Sequence, residues 1–392
     1  AKKMDLFVST SSFTQTVYDP YVNLLRAATQ SFSAVVGGIN GMFVKPFDHV
    51  IRPSDTFSRR IARNIQIMFQ HEFNFLQPVD PAGGSWYIEP LTAEFTEKAW
   101  AKFQEMETNT NIIELLQAGT VQAKVNEVLE SRFKNLASRK DRAVGNNMYP
   151  NMTEELLEVP EIDCASLAKE RTVALEQQKA NRDNAVVSEL LQKIKTAAGI
   201  EGGLLVELAS TAMASGATMG EIAAALADGS QGISIEPIKK HRWTERFEEM
   251  RRRTEKFEAE TGQNVKIFLA NMGPIPQHKA RAEFVTSFMQ VAKFEVLGND
   301  GFPTVEEAVK AALESNANVT IVCSTDATYP ELAPAVTKMI KEQRPEMKVF
   351  LAGAPSKELK EICDAAGMDD YISVRSNCYD TLIRLQKERG MF

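Results

Sequence analysis

The sequence predicts an α/β protein that ends in a doubly wound domain over residues 264–392. Five short apolar runs alternate with helical segments there, and the first run ends at Asn271-Met272-Gly273. Near-continuous apolar runs bounded by glycine are typical of strands buried on both faces of a parallel sheet. We expect the spatial order 2-1-3-4-5, which is the flavodoxin-like arrangement. The five predicted strands span residues 265–270, 294–297, 319–322, 349–352 and 371–373.

Composition narrows the class of protein. With 392 residues, 44% of them hydrophobic and 25% charged, the chain resembles an ordinary soluble protein of two or three domains. A net charge of −7 argues against a nucleic-acid surface, and no apolar run is long enough to cross a membrane. The start of the chain, Ala1-Lys2-Lys3-Met4-Asp5, lacks the apolar core of a signal peptide. The four cysteines, which show no C-x-x-C spacing, suit a reducing compartment, and we expect a cytoplasmic protein without a metal cluster: Cys164, Cys323, Cys363 and Cys378.

The first third of the chain also alternates strand and helix. Strand-like residues 6–8 precede a helical pattern over about 21–35 and a second strand at 42–44, which predicts parallel β/α units. Pro53-Ser54-Asp55 marks a helix start, and the apolar positions that follow predict one buried face. The glycine-rich stretch 80–85 lacks the ending of a phosphate-binding loop, so we expect a tight turn. Long helical patterns follow over 91–136.

Residues 138–263 are predicted to be an extended and helical linker region. The stretch to about residue 165 contains Pro150 and Pro160, and we expect it to lie across the surface. Residues 166–259 read as helical throughout because alanine, leucine, glutamate and lysine dominate. The charged helix over 239–260 is expected to be a solvated connector into the last domain.

The predicted sheet places two polar side chains at its carboxyl edge. His278 follows the first strand of the domain and Ser324 follows the third, so both lie at the expected switch point, where doubly wound sheets bind ligands. His278 has two readings, a ligand to a metal or cofactor or an ordinary exposed loop residue. A flavin-nucleotide site competes from the fold alone, but the first loop lacks a hydroxyl-rich phosphate cradle.

The motifs around this edge resemble the cobalamin-binding domain of the B12-dependent acyl-CoA mutases, the methylmalonyl-CoA mutase family. They are Met272-Gly273, the loop histidine, Val322-Cys323-Ser324-Thr325 and Leu351-Ala352-Gly353. In that family the loop reads Asp-x-His-x-x-Gly, the histidine is the lower ligand of cobalt, and the aspartate orients the histidine. Small residues at the strand ends leave room for the nucleotide tail. The resemblance implies His278 as the metal ligand and Ser324 and Gly353 as further cofactor-binding positions.

The sequence departs from this motif at several positions. Pro276 replaces the aspartate and Arg281 replaces the glycine, and the loop looks one residue longer. Cys323-Ser324-Thr325 takes the place of the family's Ser-x-Leu, and Ala352-Gly353 takes the place of its Gly-Gly. Proline has no carboxylate to orient the histidine, and arginine would occupy the space that the nucleotide tail of cobalamin needs. We therefore expect a weak or absent cobalamin site. This pattern resembles the small, non-catalytic subunits of the family.

The resemblance also extends upstream. Residues 1–137, with Ala62-Arg63-Asn64 and the loop 80–85, resemble the second half of the family's (β/α)8 TIM barrel. Lys45 and His49 stand where the family has an asparagine and a glutamate that hold the adenosyl group. Two interpretations of these positions remain. Either the mouth of the barrel is free of catalytic constraints, or Lys45 and His49 form a new acid–base pair. The first half of the barrel has no counterpart here, so we expect either a fragment or a separate chain that supplies it, with the open edges covered.

Together the resemblance implies a structural small subunit. We expect it to support a large catalytic subunit that binds adenosylcobalamin and the acyl-CoA substrate and interconverts succinyl-CoA and (R)-methylmalonyl-CoA by radical rearrangement. No catalytic residue is assigned to this chain. Two alternatives stay open: a catalytic mutase chain that binds cobalamin through His278, and a stand-alone binding or regulatory module for another small molecule.

Overall fold

A computed structural model describes residues 4–108, 110–198, 204–227 and 232–392. Predictions that concern residues 1–3, 109, 199–203 and 228–231 lie outside this range. The chain divides into two compact units, one formed by residues 1–159 with 237–392 and the other by residues 160–236. Each unit has its own apolar core. Among the described residues, no helix is both long and apolar enough to span a membrane.

The first unit opens with a parallel β/α/β arrangement. Strand β1 (Phe7–Ser9), helix α1 (Val22–Val36) and strand β2 (Gly41–Phe43) follow in order, and Val8 lies opposite Met42 in the two-stranded sheet. The predicted β/α alternation is therefore confirmed for this segment. A small core joins α1, β2 and the next helix.

Helix α2 (Thr56–His71) begins where the sequence predicts. Asp55 is the N-cap, and its side chain accepts a hydrogen bond from the backbone N–H of Ser58 at 2.8 Å. The predicted buried face is only partly covered, since Ser58 and Ala62 alone are fully buried and Met68 is exposed. Gly84 adopts a left-handed backbone with φ of 79°, as a tight turn requires. Helices α3 (Ile88–Thr108), α4 (Ile112–Gln117) and α5 (Thr120–Ala137) follow.

The stretch after α5 is more deeply packed than predicted. Asn147 is fully buried, and its side-chain N–H groups donate to the carbonyl oxygens of Leu136 and Asp141, both at 2.9 Å. Its side-chain oxygen accepts from the backbone N–H of Ala143 at 2.7 Å. One asparagine thus satisfies three backbone groups, which allows a segment without regular structure to enter the interior. The prediction of a surface-lying stretch was wrong for residues 145–147, which are buried.

The second unit is a helical assembly of α6 (Cys164–Asn181), α7 (Asn184–Ala197), α8 (Leu204–Ala214) and α9 (Met219–Leu226). Its core contains Val187, Ile194 and Ala212. Arg182 pairs with Glu221 through two guanidinium nitrogens at 2.6 and 2.7 Å. This bidentate pair joins the α6–α7 turn to the first turn of α9.

Helix α10 (Glu245–Thr261) belongs to the core of the first unit, so the prediction of a solvated connector was wrong. Its buried residues include Glu248 and Arg251. The Glu248 carboxylate accepts from the backbone N–H of Val17 at 3.0 Å, and the Tyr18 hydroxyl donates to Glu255 at 2.6 Å. The charged composition suggested exposure, but these hydrogen bonds satisfy the carboxylates of the helix inside the protein.

The last domain contains five parallel strands and five helices: β3 (Lys266–Asn271), α11 (Ile275–Met289), β4 (Glu295–Leu297), α12 (Val305–Glu314), β5 (Val319–Cys323), α13 (Tyr329–Gln343), β6 (Lys348–Ala352), α14 (Lys357–Ala365), β7 (Asp370–Ile372) and α15 (Cys378–Glu388). The strand order is β4-β3-β5-β6-β7, which confirms the predicted order 2-1-3-4-5. One core packs α10, α11 and α15 on one face of the sheet, and a second packs α12, α13 and α14 on the other. The carboxyl ends of β3 and β5 therefore lie side by side at the switch point.

Candidate functional site

His278 lies inside the first turns of α11, and its prediction as a loop residue was wrong. The helix begins at Ile275 because prolines are favoured at the start of a helix, and Pro276 occupies that first turn. The histidine is 3% exposed, and its Nδ1 lies 3.1 Å from the carbonyl oxygen of Gly273. Gly301 packs against the ring so closely that a Cβ there would lie 2.7 Å from Cε1. His278 is therefore a packed helical residue.

A cavity of about 470 Å³ adjoins His278. Its wall includes Asn271 at the end of β3 and Asn299 in the loop after β4. The Asn271 side-chain N–H donates to the carbonyl oxygen of Asn299 at 3.1 Å, but its buried Oδ1 has no hydrogen-bond partner in the described chain. A buried acceptor beside a cavity can be satisfied by water or by a small ligand.

Ser324, predicted at the same edge, is fully buried and already hydrogen-bonded. Its hydroxyl donates to the carbonyl oxygen of Met272 at 3.2 Å and accepts from Thr328 at 2.8 Å. Its backbone N–H donates to the Tyr329 hydroxyl at 3.1 Å, and that hydroxyl donates to the carbonyl oxygen of Ala352 at 2.7 Å. Tyr329 thus ties the end of β5 to the end of β6. Burial raises the pKa of the Tyr329 hydroxyl well above its usual range.

Gly353, the third predicted position, faces two large side chains. A Cβ at Gly353 would lie 3.3 Å from the Tyr329 ring and 3.7 Å from Arg281 Nη1. Arg281 also pairs with Asp326 at 2.8 Å. The structure brings Ser324 and Gly353 together, with Tyr329 between them. The sequence reasoning missed Tyr329, whose only signal was an aromatic residue at the first position of a helix just after a strand end.

At the end of β2, Lys45 and His49 are not arranged as an isolated catalytic pair. The Lys45 ammonium donates to the Ser12 hydroxyl at 2.9 Å. Partial burial and the charge of Lys45 lower the pKa of His49. His49 lines a cavity of about 490 Å³ together with Arg59 and Arg63, whereas Lys45 is not part of its lining.

A comparison with protein families decides the affiliation. The family model described as methylmalonyl-CoA mutase matches residues 1–231, which is more than half of the chain. The chain belongs to the methylmalonyl-CoA mutase family. Its relatives include the methylmalonyl-CoA mutase small subunit of Porphyromonas gingivalis, 30% identical over 99% of this chain and 52% of that protein.

Two further relatives of this mutase family bear on the subunit type. The small subunit of Streptomyces virginiae is 30% identical over 93% of this chain and 46% of that protein. The large subunit of Porphyromonas gingivalis is 29% identical over 88% of this chain and 49% of that protein. The chain therefore spans about half the length of the curated relatives it matches.

Cobalamin is the cofactor that the family resemblance implies, and the residues at this edge do not fit it. The His278 ring contacts a backbone carbonyl through Nδ1 and lies under Gly301, where the family motif has an aspartate partner for a loop histidine. The space between Ser324 and Gly353 contains the Tyr329 ring and the end of Arg281.

Proposed function

We propose that this chain is a non-catalytic, structural part of an adenosylcobalamin-dependent methylmalonyl-CoA mutase, of the small-subunit type. The observation that carries the proposal is the packing at the switch point, where Tyr329 and Arg281 occupy the space beside Gly353 and His278 is packed into α11. A large subunit would bind adenosylcobalamin and acyl-CoA and interconvert succinyl-CoA and (R)-methylmalonyl-CoA. The small and large subunit relatives of one organism, Porphyromonas gingivalis, support such a pairing.

Exposed apolar side chains in the first third of the chain support a covering partner. Phe7, Val79 and Trp86 are all more than four-fifths exposed, and α3 has no buried residue. Apolar surface of this extent is typical of an interface. In the proposal, residues 1–137 form the second half of a barrel whose first half comes from the rest of a longer polypeptide or from a separate chain. Residues 138–263 then form the linker region and residues 264–392 the degenerate cobalamin-type domain.

Reconstitution tests the proposal. The chain, in its full-length context, is mixed with a large mutase subunit from the same source. The mixture is separated by size-exclusion chromatography, and mutase activity is assayed in each fraction. We expect a stable complex whose activity persists in the His278→Ala and Ser324→Ala variants of this chain. Substitution of the cobalt-ligating histidine of the large subunit is the matched control and should abolish turnover. Loss of activity on His278→Ala with the complex intact would instead favour a catalytic chain.

The cavity beside His278 favours one second function, binding of another small molecule. The unpartnered Oδ1 of Asn271 in about 470 Å³ of space is the observation that supports it. A stable monomer that forms no complex with a large subunit would favour this alternative over the structural-subunit proposal.

A further inference from the structure

A third cavity, of about 430 Å³, lies between the segment that follows α5, the helix α11 and the loop that connects β7 to α15. It shares Tyr149, Glu283 and Ser287 with the cavity beside His278, and it differs from that cavity because Arg139 and Arg142 line it. Among the described residues that line this cavity, Glu283 is the one carboxylate, and it lies 3.8 Å from the ammonium of Lys279. Within the described chain, neither arginine has a carboxylate within 4.0 Å.

Arg139 is held rigidly at the wall of this cavity. Its Nη2 donates to the Ser287 hydroxyl at 2.8 Å, and its guanidinium lies 5.9 Å and 5.8 Å from the ring centres of Phe284 and Phe288. Its Nη1 is buried and has no hydrogen-bond partner in the described chain. A buried guanidinium nitrogen without an acceptor is costly, and an anionic ligand would offset that cost. Burial lowers the pKa of Arg139, and the nearby charge of Arg142 acts in the same direction.

Hydroxyl groups complete the lining. Ser287 accepts from Arg139, and Ser373 accepts from the backbone N–H of Arg375 at 3.2 Å. In the described chain neither hydroxyl donates to a protein acceptor, so both protons are available to a ligand. Two guanidinium groups with two hydroxyl donors match the several oxygens of a tetrahedral anion better than the two oxygens of a carboxylate.

We propose that this Arg139–Arg142 cavity binds a phosphoryl anion, either inorganic phosphate or a phosphate monoester. The site goes beyond the proposed structural role, and it requires neither cobalamin nor a large subunit. Its failure and the failure of the proposed function are therefore distinguishable. Arg139 fixes the anion from the interior, and the exposed Arg142 contacts it from the cavity mouth.

Titration of the full chain with phosphate tests the site. Inorganic phosphate and glycerol 3-phosphate are titrated by calorimetry at constant ionic strength, with acetate as the monocarboxylate comparison. We expect saturable binding of phosphate or the monoester and at least about tenfold weaker binding of acetate. Tighter binding of the monoester assigns the cavity to organic phosphates, and equal binding assigns it to the bare anion.

Substitutions locate the binding. Arg142→Gln removes an exposed charge and should retain the fold, yet weaken phosphate binding about tenfold or more, and Arg139→Lys should weaken it as well. Arg60→Gln is the matched control, since Arg60 is exposed on α2 and does not line the cavity. Absence of saturable phosphate binding, or equal binding by the Arg142→Gln and Arg60→Gln variants, would overturn the proposal.

Discussion

Tyr329→Phe probes the packing that closes the switch point. The substitution keeps the ring but removes the hydroxyl that accepts from the Ser324 N–H and donates to the Ala352 carbonyl. Both backbone groups lie in fully buried residues, so water cannot readily replace the lost partner. An unsatisfied buried group costs about 1–3 kcal/mol, so two of them predict a loss of about 2–6 kcal/mol in the free energy of unfolding.

Tyr371→Phe is the matched control. The Tyr371 hydroxyl donates to Asp364 at 2.7 Å, but both residues are partly exposed and solvent can take over the bond. We expect a loss of about 1 kcal/mol or less. Urea unfolding followed by circular dichroism compares the two variants, and a slope near 2 kcal/mol per molar predicts a midpoint drop of about 1–3 M for Tyr329→Phe. If the two variants differ by less than about 0.5 kcal/mol, Tyr329 does not hold the strand ends together.

Two further predictions concern the titratable groups. The Arg182 hydrogen bonds lower the pKa of Glu221, so its stabilising contribution is present at neutral pH and is lost as the pH falls through the lowered pKa. The difference in urea midpoint between the parent chain and the Glu221→Gln variant should therefore become smaller below about pH 4. A difference that stays constant from pH 7 to pH 3 would contradict this pH dependence. Of the four cysteines, Cys164 is exposed and the other three are buried. Burial raises the pKa of Cys363, and it raises the pKa of Cys378 to about 12. An aromatic disulfide reagent should titrate a single thiol in the folded chain and all four in denaturant, and rapid reaction of a second thiol in the folded chain would refute this.

The sequence was sufficient to predict the last domain in detail. Near-continuous apolar runs such as Val319–Cys323 identify buried parallel strands, and the strand order followed from the doubly wound pattern. The start of α2 at Asp55 also followed from local chemistry, because an N-cap depends on neighbouring residues alone.

Other features required tertiary information. His278 was placed in a loop between the first strand and the following helix, whereas Pro276 favours a helix start that already includes His278. Helix α10 was expected in solvent because it is highly charged, but distant residues satisfy its buried charges; the Glu248 carboxylate, for example, accepts from the backbone N–H of Val17. Tyr329 was missed because its two hydrogen bonds join three separate elements. No local pattern encodes such a contact.

The central claim, that this chain leaves cobalamin to a partner, is tested by the visible spectrum of the purified chain titrated with adenosylcobalamin. We predict no spectral shift and no retention of cofactor after gel filtration, while a complex with the large subunit retains about one equivalent per pair. A saturable shift typical of histidine as the lower cobalt ligand, present in the chain alone and absent in His278→Ala, would contradict the account.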